Sequence, residues 1–295
     1  MNTLHVRPAL ALLAGLCFAA GLVAQTPASP QLVFPDASPT GSIKQRVGLT
    51  DIEVTYNRPG VKGRKIFGGL IPYGQVWRTG ANAATRISFS APVTLNGVAV
   101  PAGTYELFSI PGPTEWTFMV QAVKEKGQWG SYAYDQKNDT ARFTAASSSF
   151  TTPVETLAFA VGDVRDTGAN LNLFWETTRV TIHLGVDTVG QLVPQIEAAL
   201  ASDMEKKPYF PAAMFYYENN LDLGKAAAWM AKAVEEKPTA AWMIYRQGLI
   251  LAKKGDKAGA LAAATRSREL AAANYDGELK AEYVRLNDAL IARLK

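Results

Sequence analysis

The stretch ISFSAPVTLNGVAVPAGTYELF, running from Ile87 to Phe108, decides the fold of this chain. Ile87 and Phe89, then Val93 and Leu95, put an apolar side chain at every second position, the period of a strand with one buried face. Asn96-Gly97 follows, a pair that accepts the positive φ angles of a tight two-residue hairpin. Val98 and Val100 resume the alternation. Pro101-Ala102-Gly103 then turns the chain into Tyr105-Glu106-Leu107-Phe108. Turns this closely spaced leave no room for a helix, so neighbouring strands must run antiparallel.

The same period extends in both directions. Ile52, Val54 and Tyr56 alternate with polar residues, and further strands fit Trp116–Val123, Arg142–Ala145, Thr156–Val161, Leu171–Glu176 and Val180–Val186. Short strands separated by Gly, Pro and Asn imply an antiparallel β-sandwich, jelly-roll-like or barrel-like, over residues 42–187. After Asp187 the period lengthens. Leu192, Ile196, Ala199 and Leu200 share one helical face, and more helices fit up to Leu294, giving an α-helical region over 188–295. Within it, the segments beginning Asn220 and Lys254 match at a spacing of 34 residues, the tetratricopeptide period, with Ala226 and Ala260 at equivalent positions. A plain helical bundle is the alternative.

The chain opens with Arg7 and an apolar run from Ala9 to Val23, closing on Leu22-Val23-Ala24. That is the pattern of a secretory signal peptide over 1–24, followed by a Pro/Ser/Thr/Ala-rich linker over 25–41. The run is short for a membrane span, so none is expected after cleavage, and the mature chain is expected to be exported, periplasmic or extracellular. Cys17 is the only cysteine of the sequence and leaves with the leader; so does His5, making His183 the sole histidine. Loss of Arg7 lowers the formal charge from +4 to +3, without a Lys/Arg block, and nucleic-acid binding is not expected.

These counts exclude several chemistries. Without cysteine there is no thiolate catalysis and no Cys/His zinc site. His183 alternates with Ile182 and Leu184, so it faces away from them as a solvated strand residue rather than a triad base. Neither nucleotide fingerprint occurs. Asp135 to Asp139 lacks the order of a calcium loop and reads as a turn with an Asx cap. No cofactor, metal ligand or catalytic residue is assigned. Among carboxylates, Asp135, Asp139 and Glu176 are the candidates for a glycosidase pair.

Three clusters combine aromatics with arginine or acid: Val76–Asn82, Gln128–Asp135 and Phe174–Arg179. With Val54–Pro59, Lys62–Leu70, Pro72–Asn82, Pro101–Tyr105 and Trp129–Tyr132, the sequence resembles the exported bacterial family catalogued as domain of unknown function 2911. The resemblance runs from about Ser42 to Val186. It implies helical repeats in the region beyond, and it supplies no activity. Arg78, next to Gly80 and Asn82, has two roles open to it. As an internal bracket it would pair with Glu176 or Asp135 and tie its loop to the sheet. As a ligand clamp, Arg78 and Asn82 would meet a small polar or carbohydrate-like ligand, with Trp77, Trp129 or Trp175 as a stacking wall. Tyr134, Asp135, Glu176 and Arg179 complete the candidate set. The basic run Lys62–Lys65 is expected to be a solvated turn that lets Ile66 and Phe67 enter the core.

The leading expectation is a non-catalytic binding module, the β domain holding a small polar or glycan ligand and the helices a protein segment. A carboxylate-dependent glycan hydrolase and a structural envelope protein are the alternatives.

Overall fold

Thr40–Val47 (β1) and Thr50–Asn57 (β2) pair in unbroken antiparallel register, from Thr40 opposite Asn57 to Val47 opposite Thr50. Ile52, Val54 and Tyr56 are buried, as their alternation requires, and Lys44–Glu53 and Arg46–Asp51 pair on the exposed side. The computed structural model describes residues 32–123 and 127–295. The expected signal peptide lies outside the described residues. Leu32, Val33 and Phe34 are exposed, and β1 begins inside the stretch read as linker.

Next come Thr85–Phe89 (β3), Val93–Leu95 (β4), Val98–Val100 (β5), Gly103–Ile110 (β6), Glu115–Ala122 (β7), Asp139–Arg165 (β8) and Gly168–Val186 (β9). They form one open antiparallel sheet of nine strands, in the order β1-β2-β3-β6-β7-β8-β9-β4-β5. The deciding stretch is a hairpin. Asn96 and Gly97 have φ of 47° and 83° between β4 and β5, the pair of left-handed residues that the sequence promised.

Two bends turn this sheet into a sandwich. β8 pairs with β7 as far as Ala146, then its register shifts between Ser149 and Val154 and it continues along β9. β9 doubles back on itself. Val186 N donates to Thr167 O, Thr181 Oγ1 donates to Asn172 Oδ1, and His183 Nδ1 lies 2.7 Å from Asn170 Oδ1. These pairings centre the turn on Glu176-Thr177, where Glu176 takes a φ of 55°. The two strands expected at Leu171–Glu176 and Val180–Val186 are thus limbs of one folded strand. Residues from β2, β3, β6, β7, β8 and β9 meet in a single core centred on Trp116, Trp175, Leu107, Phe118 and Leu173. Each such side chain contributes roughly 1.5–3 kcal/mol by leaving water.

One region breaks the period of two. On β6 the five residues Tyr105 to Ser109 are all buried, and on β7 so are Phe118 to Gln121. The outer face of these strands is covered by segments 72–84 and 127–138, which bury Phe108 and Met119 in a second small cluster with Ala84.

Six helices follow among the described residues: Thr188–Ala201 (α1), Tyr209–Glu218 (α2), Leu223–Glu236 (α3), Ala241–Lys254 (α4), Lys257–Asn274 (α5) and Gly277–Leu294 (α6). α1 starts earlier than its apolar spacing suggested because the Asp187 side chain accepts from Gly190 N and caps it. Asp222 and Asp256 cap α3 and α5 in the same way, and Ala226 and Ala260, four residues on, are fully buried. Consecutive helices from α2 to α6 pack against one another. α1 is joined to the β region by Thr188 Oγ1, which donates to Asp166 O. None of these helices is long and apolar enough to cross a membrane.

Candidate functional site

The segment 76–84 continues the sheet edge left open before β3 begins. Trp77 N donates to Ser109 O at 2.7 Å, and Ser109 N returns the bond to Trp77 O at 2.8 Å. Alternation then sends Trp77 inward and its neighbours Val76 and Arg78 outward. The loop closes on itself. Trp77 Nε1 donates to Gly80 O at 2.9 Å, Thr85 Oγ1 to Thr79 O at 2.8 Å, and Thr79 Oγ1 to Ser109 Oγ at 2.9 Å. Thr79 and Asn82 take left-handed φ angles of 54° and 56°. Gly80 leaves room for this closure, since a Cβ there would lie 2.8 Å from Thr85 Oγ1.

Arg78 is therefore not the bracket. Among the described residues it makes no ion pair with Glu176, Asp135 or any other acid. Its Nε is buried without a hydrogen-bond partner. The expected pairing fails because Trp77 and two threonine hydroxyls already hold the loop, and the two acids are engaged elsewhere. Glu176 accepts from Ile66 N at 3.3 Å, and Asp135 caps the 3-10 turn Gln136–Asn138 by accepting from Lys137 N at 3.0 Å.

Over Arg78 lies the segment 127–135, sewn to 76–84 by Ala84 N to Gln128 O (2.9 Å), Gly130 N to Asn82 O (3.0 Å) and Ser131 Oγ to Val76 O (2.9 Å). Gly130, at a φ of 71°, brings backbone close to the guanidinium; a Cβ there would stand 3.4 Å from Arg78 Nη1. On top, Trp129 is 69% exposed and Tyr132 86% exposed. Such exposure of two large aromatics on an ordered loop is a loss of burial that packing does not explain.

Beneath the loop is a polar layer. Glu106 is 1% exposed, and both its oxygens accept from Gln128, one from the backbone N and the other from Nε2 at 2.7 Å. Its cross-strand neighbour Gln121, equally buried, donates to Asp135 O at 2.8 Å and to Asp139 Oδ1 at 2.9 Å. Tyr134 OH donates to Asp139 Oδ2 at 2.9 Å, and Arg142 Nη1 reaches both. Burial, reinforced by the Asp139 carboxylate, pushes the Tyr134 phenol up to about 12. This layer fixes the loop whose tip carries Trp129 and Tyr132.

The remaining candidates lie on the inner side. Trp77 and Trp175 are buried and stack, with centroids 5.9 Å apart and 17° between planes; Phe67 and Trp116 pack edgewise around them. Neither is a stacking wall for a ligand at Arg78. The signal was available for Trp175, which continues the buried alternation of Leu171 and Leu173. Arg179, on the far limb of β9, is exposed and donates to Ser148 Oγ at 3.3 Å. Of the candidates, the structure brings together Arg78, Asn82, Trp129, Tyr134 and Asp135 on the outer face, and separates them from Trp77, Trp175, Glu176 and Arg179. Sequence reasoning passed over Glu106 and Gln128, whose burial depends on the covering loop, and Tyr132, which was quoted only as a motif residue. The basic run behaves as expected: Arg64 folds onto Gly60 O and Val61 O, while Ile66 and Phe67 are buried.

Residues 38–184 match the family model described as Protein of unknown function (DUF2911), in support of the resemblance read from the motifs. The match ends before α1 and includes none of the helices. No curated protein and no solved structure matches the chain.

Proposed function

We propose that the chain is an exported, non-catalytic binding protein whose β domain presents Trp129, Tyr132, Arg78 and Asn82 to a small polar or carbohydrate-like ligand. One observation carries this reading. Two strongly exposed aromatic rings sit on a loop held by backbone bonds and a buried glutamate, beside a half-buried arginine that makes no ion pair among the described residues. Aromatic faces take the apolar faces of sugar rings, and guanidinium and amide groups take their oxygens. Export rests on the leader-like N-terminus, and a protein partner for the helices on the matched caps of α3 and α5, 34 residues apart in the manner of a tetratricopeptide unit. The hydrolase alternative has less support, because Glu176 and Asp135 are committed to different backbone amides on different elements.

The test is a glycan array followed by calorimetry. A ligand bound by the parent and lost on Trp129→Ala, with the melting temperature unchanged, is the expected result. Equal binding by parent and variant would remove Trp129 from the site and the reading with it.

A further inference from the structure

The guanidinium beside the two exposed rings carries a charge that the protein leaves unbalanced. Arg78 is half-buried and pairs with no acid among the described residues. The acids of the surrounding elements are taken. Glu106 on β6 holds Gln128, Asp139 at the start of β8 holds Tyr134, Gln121 and Arg142, and Asp135 caps its 3-10 turn. Arg58 is half-buried too, and it shows how such a group is kept inside a protein. Its Nε donates to Leu157 O at 3.0 Å, and its guanidinium lies 5.9 Å from the centre of the Tyr56 ring. A cation stripped of part of its water without a counter-charge is held at a cost, and an anion from outside would offset it.

Gly130 supplies the decisive geometry. It carries only hydrogen where a side chain would stand, and a Cβ built there would lie 2.6 Å from Tyr132 Cε2 and 3.4 Å from Arg78 Nη1. The Tyr132 ring and this terminal nitrogen therefore flank one point, no farther apart than those two distances laid end to end. Nε is closed off by protein, so the Nη1 end is the one a ligand would meet. Tyr132 is 86% exposed, and Trp129, 69% exposed, immediately precedes the glycine. An aromatic face and the end of a guanidinium fork thus meet at the surface within reach of a single sugar ring.

We propose that the Trp129–Tyr132 surface selects an acidic sugar, a pyranose carrying one carboxylate, over its neutral counterpart. This selectivity rests on the reading of that surface as a carbohydrate site. The apolar face of the ring lies on Tyr132, Trp129 bounds it, and the carboxylate accepts from Arg78 Nη1. One unpaired guanidinium matches one carboxylate in charge, and a charge-assisted hydrogen bond is about twice as strong as a neutral one. A neutral sugar keeps the stacking and lacks the ion pair. An aminosugar cation meets a charge of its own sign and is disfavoured.

Calorimetric titration of the full chain isolates the carboxylate when methyl glucuronide is set against methyl glucoside, and methyl galacturonide against methyl galactoside. The acid of at least one pair should bind about tenfold or more tightly than its neutral partner, the factor expected of a hydrogen bond to a charged group. Raising NaCl from about 20 to about 500 mM should shrink that preference, because the ion pair is only half-buried. Arg78→Gln should abolish it; if that variant fails to fold, the salt titration decides alone. Equal affinities within both pairs overturn the selectivity and leave the carbohydrate reading standing. Binding of none of these sugars overturns it as well, and so does a preference that survives Arg78→Gln or is undiminished at high salt. Failure of the carbohydrate reading itself shows separately, when a ligand found on the array binds Trp129→Ala as tightly as the parent.

Discussion

The two faces of β6 and β7 are buried to the same degree by opposite means. On the inner face, Leu107, Trp116 and Phe118 meet strands of the facing layer, and almost everything they touch is apolar. On the outer face, Phe108 and Met119 share their cover with Glu106 and Gln121, and that cover consists of loops. Sheet against sheet needs only shape and apolar surface. Loop against sheet must also satisfy the loop's own backbone, so buried polar side chains accompany it. The outer face is thus where a ligand-facing loop can be held rigid without belonging to the sheet.

The sharpest way to break this comparison is to truncate one large residue on each face. Trp116→Ala and Phe108→Ala should each cost about 3–5 kcal/mol in urea denaturation, because both sites are closed. A Phe108→Ala cost below about 1 kcal/mol, within the range of a surface change, would show that the cover is a loose flap and the two faces are not equivalent. Glu106→Gln comes next. It turns an amide N–H₂ toward a donor of Gln128, and a loss of about 2 kcal/mol is expected, with lowered hydrogen-exchange protection confined to 127–135. Gly130→Ala should cost about 1–2 kcal/mol for its left-handed backbone and more for the contacts a Cβ would make with Tyr132 and Arg78. Gly63→Ala is the control: its φ is 70° with open space around it, so only the backbone cost applies. Equal losses at the two glycines would mean that the loop yields freely over Arg78.

A pH dependence comes last. The Tyr134 phenol is raised from 10.0 to about 12 in the folded state, so the folded protein holds this proton where the unfolded chain releases it. The resulting stabilisation is complete below pH 10 and disappears as pH rises to about 12. Tyr134→Phe should flatten the fall of stability across that window. An unchanged slope would detach Tyr134 from the polar layer.

Much of this architecture was legible in the residues themselves. Ile52, Val54 and Tyr56 announced an inner face, and Asn96-Gly97 a tight hairpin. What could not be read is what depends on distant chain. Nothing in Tyr105-Glu106-Leu107-Phe108 says that its outward residues are covered, because the cover arrives from 72–84 and 127–138. The candidate site divided for the same reason. Trp77 and Arg78 are adjacent in sequence, yet pleating alone puts one in the core and the other beneath a loop. Trp175 shared its cluster with Glu176 and Arg179, and the turn at Glu176-Thr177 sends Arg179 to the far limb.

That turn also imposes an order of assembly on the sandwich. The limbs of β9 meet across two residues, and β9 joins the second half of β8 through the short connection at Asp166-Thr167, so these pairings close small loops and form early. The β4–β5 hairpin is also local, but its seam with β9 joins Val93 to Val186 and closes a far longer loop. Two preformed ribbons that zip together last would leave the β4–β9 seam as the first to reopen, the weak stitch through which proteolysis of the sandwich would begin.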